Sequence, residues 1–182
     1  MKQTLCFVSL LLLITTLTSF QDDNQIIWIP NYKLKAGDFQ GTPVIGGPHC
    51  AMTYAGVRPI ILLENRTIRY NVYAYFEKDE SWLSSQCLDS YTIKHEQGHF
   101  DLSEVCARKL RQYASNLSQP TRAKIRLGID SLMKEYMLLQ QQYDNETEYA
   151  IDSVTQRQWD TRISSLLKAY GRYESITDTL SF

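Results

Sequence analysis

An α+β fold, an N-terminal antiparallel β-sheet followed by a helical part, is what the order of hydrophobic periods along the chain predicts. Three observations carry this. From Ile26 to Phe76 apolar residues come in short runs or alternate with period two, and Pro and Gly cluster between the runs. After Ser81-Trp82 the apolar spacing changes to threes and fours. With 182 residues, 43% of them apolar and 12% aromatic, the chain can build one core of ordinary size.

The first stretch, Met1 to Gln21, has one charge at Lys2, an apolar run from Leu5 to Leu17 and no acid before Asp22. It reads as a secretory signal peptide over 1–21, cut between Ser19 and Gln21. A membrane span takes about 20 largely apolar residues, and this run is shorter and broken by Ser9, Thr15 and Thr16. Residues 22–182 are then expected to form a single domain of an exported protein, periplasmic or extracellular, with no membrane span once the leader is removed. The chain has 19 Lys and Arg against 20 Asp and Glu, and losing Lys2 moves the balance further toward negative. No polybasic surface is implied, which argues against nucleic acid and anionic membrane as partners. The sequence does not set the oligomeric state.

Ile26-Ile27-Trp28-Ile29 is a short strand stopped by Pro30-Asn31, and Gly41-Thr42-Pro43 with Gly46-Gly47-Pro48 marks a loop. Pro59 to Leu63 reads as a buried strand, with a hairpin turn at Glu64-Asn65-Arg66. In the next segment Ile68, Tyr70, Val72, Ala74 and Phe76 share one face, and Arg69, Asn71, Tyr73 and Tyr75 the other. This strand, Thr67 to Phe76, is the strongest in the chain, and a free edge on it would accept an extended peptide by β-addition.

Three helices are expected, over about 89–114, 120–143 and 152–170. In the first, His95, His99, Leu102, Cys106, Leu110 and Tyr113 form one stripe. The second carries Ile125, Ile129, Leu132, Tyr136 and Leu139 after Pro120, and the third Trp159, Ile163, Leu166 and Tyr170. Of the cysteines beyond the leader, Cys106 falls on the apolar stripe as a buried, inert thiol. Cys50 and Cys87 are left to form a disulfide in an oxidising compartment.

The chemistry centres on His95-Glu96-Gln97-Gly98-His99. Helical residues four apart differ by about 40° around the axis, so both imidazoles can reach one ion while Glu96 lies alongside. Neutral imidazoles suit zinc, and a zinc-activated water leaves Glu96 as general base. The motif thus marks the active-site helix of a zincin-type metallohydrolase. Phe100 to Val105 supplies no further His, and Asp101 is turned about 200° from His99. The third ligand is therefore expected among the acids joining the second and third helices, Glu146 first and Asp144 second.

From His95 to Leu102, with Glu104 and Ala107-Arg108-Lys109-Leu110, the chain resembles a family of exported bacterial proteins predicted to be zinc-dependent proteases. Asp38-Phe39-Gln40-Gly41, Ser81-Trp82, Tyr143-Asp144-x-Glu146-Thr147 and Gln156-x-x-Trp159 extend the likeness over most of 22–182. Where that family usually has His-Gly, this chain has Tyr149-Ala150. In aspzincin proteases a Tyr follows the carboxylate ligand by three residues, and Glu146 with Tyr149 has that spacing. The resemblance implies a transition-state hydrogen-bond donor at Tyr149. The expected activity is hydrolysis of a peptide or protein substrate with Zn2+ held by His95, His99 and Glu146. A zinc amidase acting on cell-wall peptides and a non-catalytic envelope binding protein are the alternatives.

Overall fold

The alternation along Thr67–Glu77 makes this strand, β4, the centre of the sheet in the computed structural model, which describes residues 23–181 except positions 45, 47, 48 and 66. The expected leader over 1–21, Gly47 and Pro48 of the expected loop and Arg66 of the expected turn lie outside the described residues. Ile68, Tyr70, Val72, Ala74 and Phe76 are all buried, as a period of two with one face on the core requires. The preceding strand β3, Ala55–Glu64, pairs antiparallel with β4 along its whole length, from Ala55 opposite Phe76 to Glu64 opposite Thr67. Asn65, in the left-handed region at φ 50°, makes the turn between them.

The other side of β4 is shared by two short strands. β1, Gln25–Ile27, pairs with the end of β4 and a C-terminal strand, Thr177–Ser181, with its beginning, both antiparallel. β4 is therefore an interior strand with no free edge, and the expectation of peptide addition there is overturned. A second, two-stranded sheet joins β2, Ala51–Met52, to β5, Trp82–Leu83. Cys50, just before β2, is bonded to Cys87, just ahead of the first helix, so the pairing expected from the sequence is the one formed.

Three helices follow: α1 over Ser90–Ser115, α2 over Arg122–Glu146 and α3 over Ser153–Ala169. Asp89 caps α1 by accepting from the backbone of Tyr91 and Thr92, and Asp152 caps α3 in the same way. The sequence marks one apolar stripe on α1, whereas the helix is buried on two faces. Phe100, Ala107, Leu110 and Ala114 pack on the sheet, and Leu102 packs with Tyr143, Trp159 and Ile163 of α2 and α3. The architecture is the α+β arrangement expected, and among the described residues no helix is long and apolar enough to cross a membrane. The C-terminal strand, here β6, closes the sheet after the helices.

Burial of α1 on both faces takes three charges out of water at its C-terminal half. Glu104, Arg108 and Arg111 are each at most 3% exposed. Glu104 accepts from Arg108 Nε at 2.8 Å and from both terminal nitrogens of Arg111 at 2.9 and 3.2 Å. Arg111 also donates to the carbonyls of Val72 on β4 and Tyr173 beyond α3, and Arg108 to that of Leu167. The three charges thus tie sheet, central helix and C-terminal segment together. Removing one member of such a group strands the others. Glu104→Ala is expected to lower the unfolding free energy by about 3–5 kcal/mol, measured by urea denaturation of the purified protein.

Candidate metal centre

The cap at Asp89 sets where α1 begins and hence that His95 and His99 stand one turn apart on its inner side. Their rings lie 4.9 Å apart, nearly perpendicular, with the two Nε2 atoms 3.3 Å from each other. Asp144 Oδ1, from α2, stands 3.3 Å from His95 Nε2 and 2.9 Å from His99 Nε2. One ligand atom from each of the three falls within 4.8 Å of the other two, and this group could hold a metal ion.

The far side of each imidazole is fixed by a glutamine. His95 Nδ1 lies 2.9 Å from Gln156 Oε1, and His99 Nδ1 lies 2.6 Å from Gln140 Oε1. The amide orientations are set by what their NH2 groups meet. Gln156 Nε2 donates to the Tyr143 hydroxyl and to Asp160, and Gln140 Nε2 donates to the His99 carbonyl. An oxygen must therefore face each Nδ1, so Nδ1 carries a proton and Nε2 is the atom that could take an ion.

Tyr143 holds the arrangement in place. Its ring stacks on His95 at 4.6 Å and meets His99 and Trp159 edge-on, and its hydroxyl donates to the His95 carbonyl. Burial pushes the phenol's pKa well up, so it stays protonated. Gly98 is explained by the same ring: a Cβ there would come within 2.3 Å of the Tyr143 hydroxyl, and that fully buried ring has nowhere to go.

Of the two acids expected as third ligand, the structure brings Asp144 to the histidines and leaves Glu146 elsewhere. α2 does not end at Tyr143 but continues through Glu146, so these two carboxylates diverge by about 200° around the axis. Glu146 accepts from Gln142 Nε2 at 2.7 Å and from Trp159 Nε1 at 2.8 Å, joining α2 to α3. Nothing in the helical spacing of α1 marks Gln140 and Gln156 as partners of the imidazoles. The signal that could have found Gln140 is its spacing of four from Asp144, which sets both on one helix face.

Glu96 is buried but lines a cleft of about 960 Å³ together with His95, His99 and Asp144. Its carboxylate makes no hydrogen bond or ion pair with any described residue. Tyr149 stands on the same cleft, half-exposed, within a run of three non-glycine residues in the left-handed region, Glu148, Tyr149 and Ala150. Its backbone N–H donates to the Asp144 carbonyl at 2.9 Å, and its ring lies 4.8 Å from that of His49. Cys106 is remote from the cleft, and burial pushes its thiol up to about 12.

Burial alone would raise the Asp144 carboxyl, but hydrogen bonds from the two histidines outweigh it and hold the group well below the usual carboxylate range. For His99, burial favours the neutral ring, but the hydrogen bond to Asp144 and the fields of Glu96 and Asp144 reverse this and raise its pKa. Two nitrogens and one oxygen are donors that suit first-row divalent ions, zinc among them. No family model, curated protein or solved structure matches the chain.

Two outcomes follow for metal binding. Asp144→Asn should lower divalent-ion affinity by at least about tenfold, as loss of a charged ligand requires, whereas Glu146→Gln should leave metal content unchanged; equilibrium dialysis with zinc reads both. Because the raised pKa of His99 means an entering ion must displace its proton, affinity should fall as pH drops through that value. Asp144, with its lowered pKa, stays ionised throughout. Calorimetry in two buffers of different ionisation enthalpy should record proton release that fades as pH rises.

Proposed function

We propose that this protein is an exported zinc-dependent metallopeptidase that hydrolyses peptide bonds with Glu96 as general base. The observation that carries the reading is the convergence of His95, His99 and Asp144 on one point of a cleft that also holds the unpartnered carboxylate of Glu96. The resemblance of the segment His95 to Leu102 to exported zinc-dependent proteases agrees with it.

Zinc at this position would supply the Lewis acidity that brings the pKa of water toward about 7. The residues of the chain do the rest. His95 and His99 are held as neutral donors by Gln156 and Gln140, and Asp144 supplies the negative charge. Glu96 takes the proton of the attacking water and delivers it to the leaving nitrogen, so one carboxylate serves as base and then as acid. Tyr149 is the hydroxyl on the cleft wall suited to donate to the developing oxyanion. β2 lines the same cleft and among the described residues pairs only with β5, which makes it, rather than β4, the strand able to take an extended substrate.

Glu96→Gln separates chemistry from metal binding. The variant should keep its zinc, by atomic absorption, and lose about 10²–10⁴-fold in turnover of a mixed peptide library. Full turnover in this variant would overturn the assignment.

A further inference from the structure

The charged side chains lining the cleft are all acidic. Glu96, Asp144 and Glu148 face it, and among the described residues no Lys or Arg does. Even with a divalent ion bound, three carboxyl groups leave the cleft without surplus positive charge. The rest of the wall mixes uncharged polar groups, His49, Thr53, Thr92 and Gln140, with an apolar set: Ala51, Met52, Ala55 and Trp82 from the strands, and Tyr149 and Ile151 from the loop after α2. Met52 is 42% exposed, Tyr149 53% and Ile151 78%, so large apolar groups stand open to whatever enters. Thr53 Oγ1, on the same wall, is buried with no hydrogen-bond partner among the described residues.

Each feature restricts what the cleft can hold. A chain-terminal carboxylate is recognised by a fixed cation, most often a bidentate Arg, because the anion must exchange its water shell for equivalent donors. Here a terminal carboxylate would meet like charge, and acidic side chains beside the reacting bond would meet the same repulsion. Apolar side chains find Met52, Tyr149 and Ile151, whose exposed area is removed from water on contact.

We infer that the cleft takes the interior of an extended peptide bearing bulky apolar side chains, and discriminates against acidic side chains and free C-terminal carboxylates. Resting on the peptidase reading above, this makes the protein an endopeptidase selective for apolar segments. Glu148, exposed on the loop between α2 and α3 and outside the metal-binding group, is the residue that sets the discrimination against acids.

The test uses zinc-loaded protein and fluorescent decapeptides blocked at both ends. They carry Leu or Phe around the central bond, or Asp or Glu in the same places, and a shorter version of the apolar peptide, unblocked at its C-terminus, ends in a free carboxylate two residues beyond that bond. Cleavage is followed in the unmodified protein and binding in zinc-loaded Glu96→Gln by fluorescence anisotropy. The blocked apolar peptides should be cleaved and bound at least about tenfold better than the acidic or free-carboxylate ones. Glu148→Lys should shrink that ratio by about threefold or more, both in cleavage and in binding to the zinc-loaded Glu96→Gln background. Equal cleavage of acidic peptides, or a requirement for the free carboxylate, would overturn the inference and leave the peptidase reading standing. Selective binding of apolar peptides to Glu96→Gln with no cleavage by the unmodified protein would overturn the peptidase reading and keep the selectivity. Neither binding nor cleavage would overturn both.

Discussion

The seating of the Tyr143 ring of α2 against α1 at Gly98 is the constraint on which the rest of the centre depends. Gly98 has no Cβ, so the Tyr143 ring can lie against α1, and its hydroxyl reaches the His95 carbonyl. Once that ring is seated, Asp144 follows as the next residue of the same helix and meets both imidazoles. Gln140, four residues earlier on the same face, meets His99. The ring also carries α3, because Gln156 donates to its hydroxyl while accepting from His95. A glycine within a helix costs about 1 kcal/mol relative to alanine, which is small against the packing of a buried tyrosine that such a residue makes possible.

α1 is buried on two faces, and two of the groups that its polar side chains form lie toward opposite ends of the helix. Toward the N-terminal end, two imidazoles are matched by two amides and one carboxylate. Toward the C-terminal end, the Glu104 carboxylate is matched by two guanidinium groups, which also meet backbone carbonyls and, from Arg108 at 3.5 Å, Glu174. The second group has no opening to solvent through which a ligand could enter, whereas the first opens on the cleft. The difference in exposure, more than the difference in residue types, separates the closed cluster from the one that a ligand can reach.

What was legible in the sequence follows the range of the interactions involved. The alternation of Ile68 to Phe76, the hairpin at Asn65 and the helical spacing of His95 and His99 depend on neighbours a few residues away, and each reads directly. The choice of Asp144 over Glu146 depends on α2 running past Tyr143 through a polar stretch, Asp144-Asn145-Glu146, that carries no apolar period to mark it as helix. β6 escaped notice because Thr177–Ser181 is short and polar and owes its existence to pairing with β4 more than a hundred residues earlier. The same long-range pairing, with β1, removed the free edge that the strand pattern of β4 alone had left open.

The loop after α2 shows how the two halves of the centre are joined. α2 must hold its helical course through Asp144 and Glu146, yet the chain must reverse within a few residues so that Gln156, on the first turn of α3, returns to His95. Thr147 ends the helix, its hydroxyl donating back to the Tyr143 carbonyl, and the reversal is then made by Glu148, Tyr149 and Ala150, all at positive φ. Left-handed backbone is unfavourable for residues with a Cβ, and three in succession without a glycine are kept only where their surroundings fix them. Here the Tyr149 N–H is bonded to the Asp144 carbonyl and the Asp152 N–H to that of Thr147. The strained turn therefore hangs on Asp144 itself, and it brings Tyr149 and Ile151 to the cleft wall. A turn relaxed by glycine would allow the same reversal but would leave the direction of those two side chains unspecified.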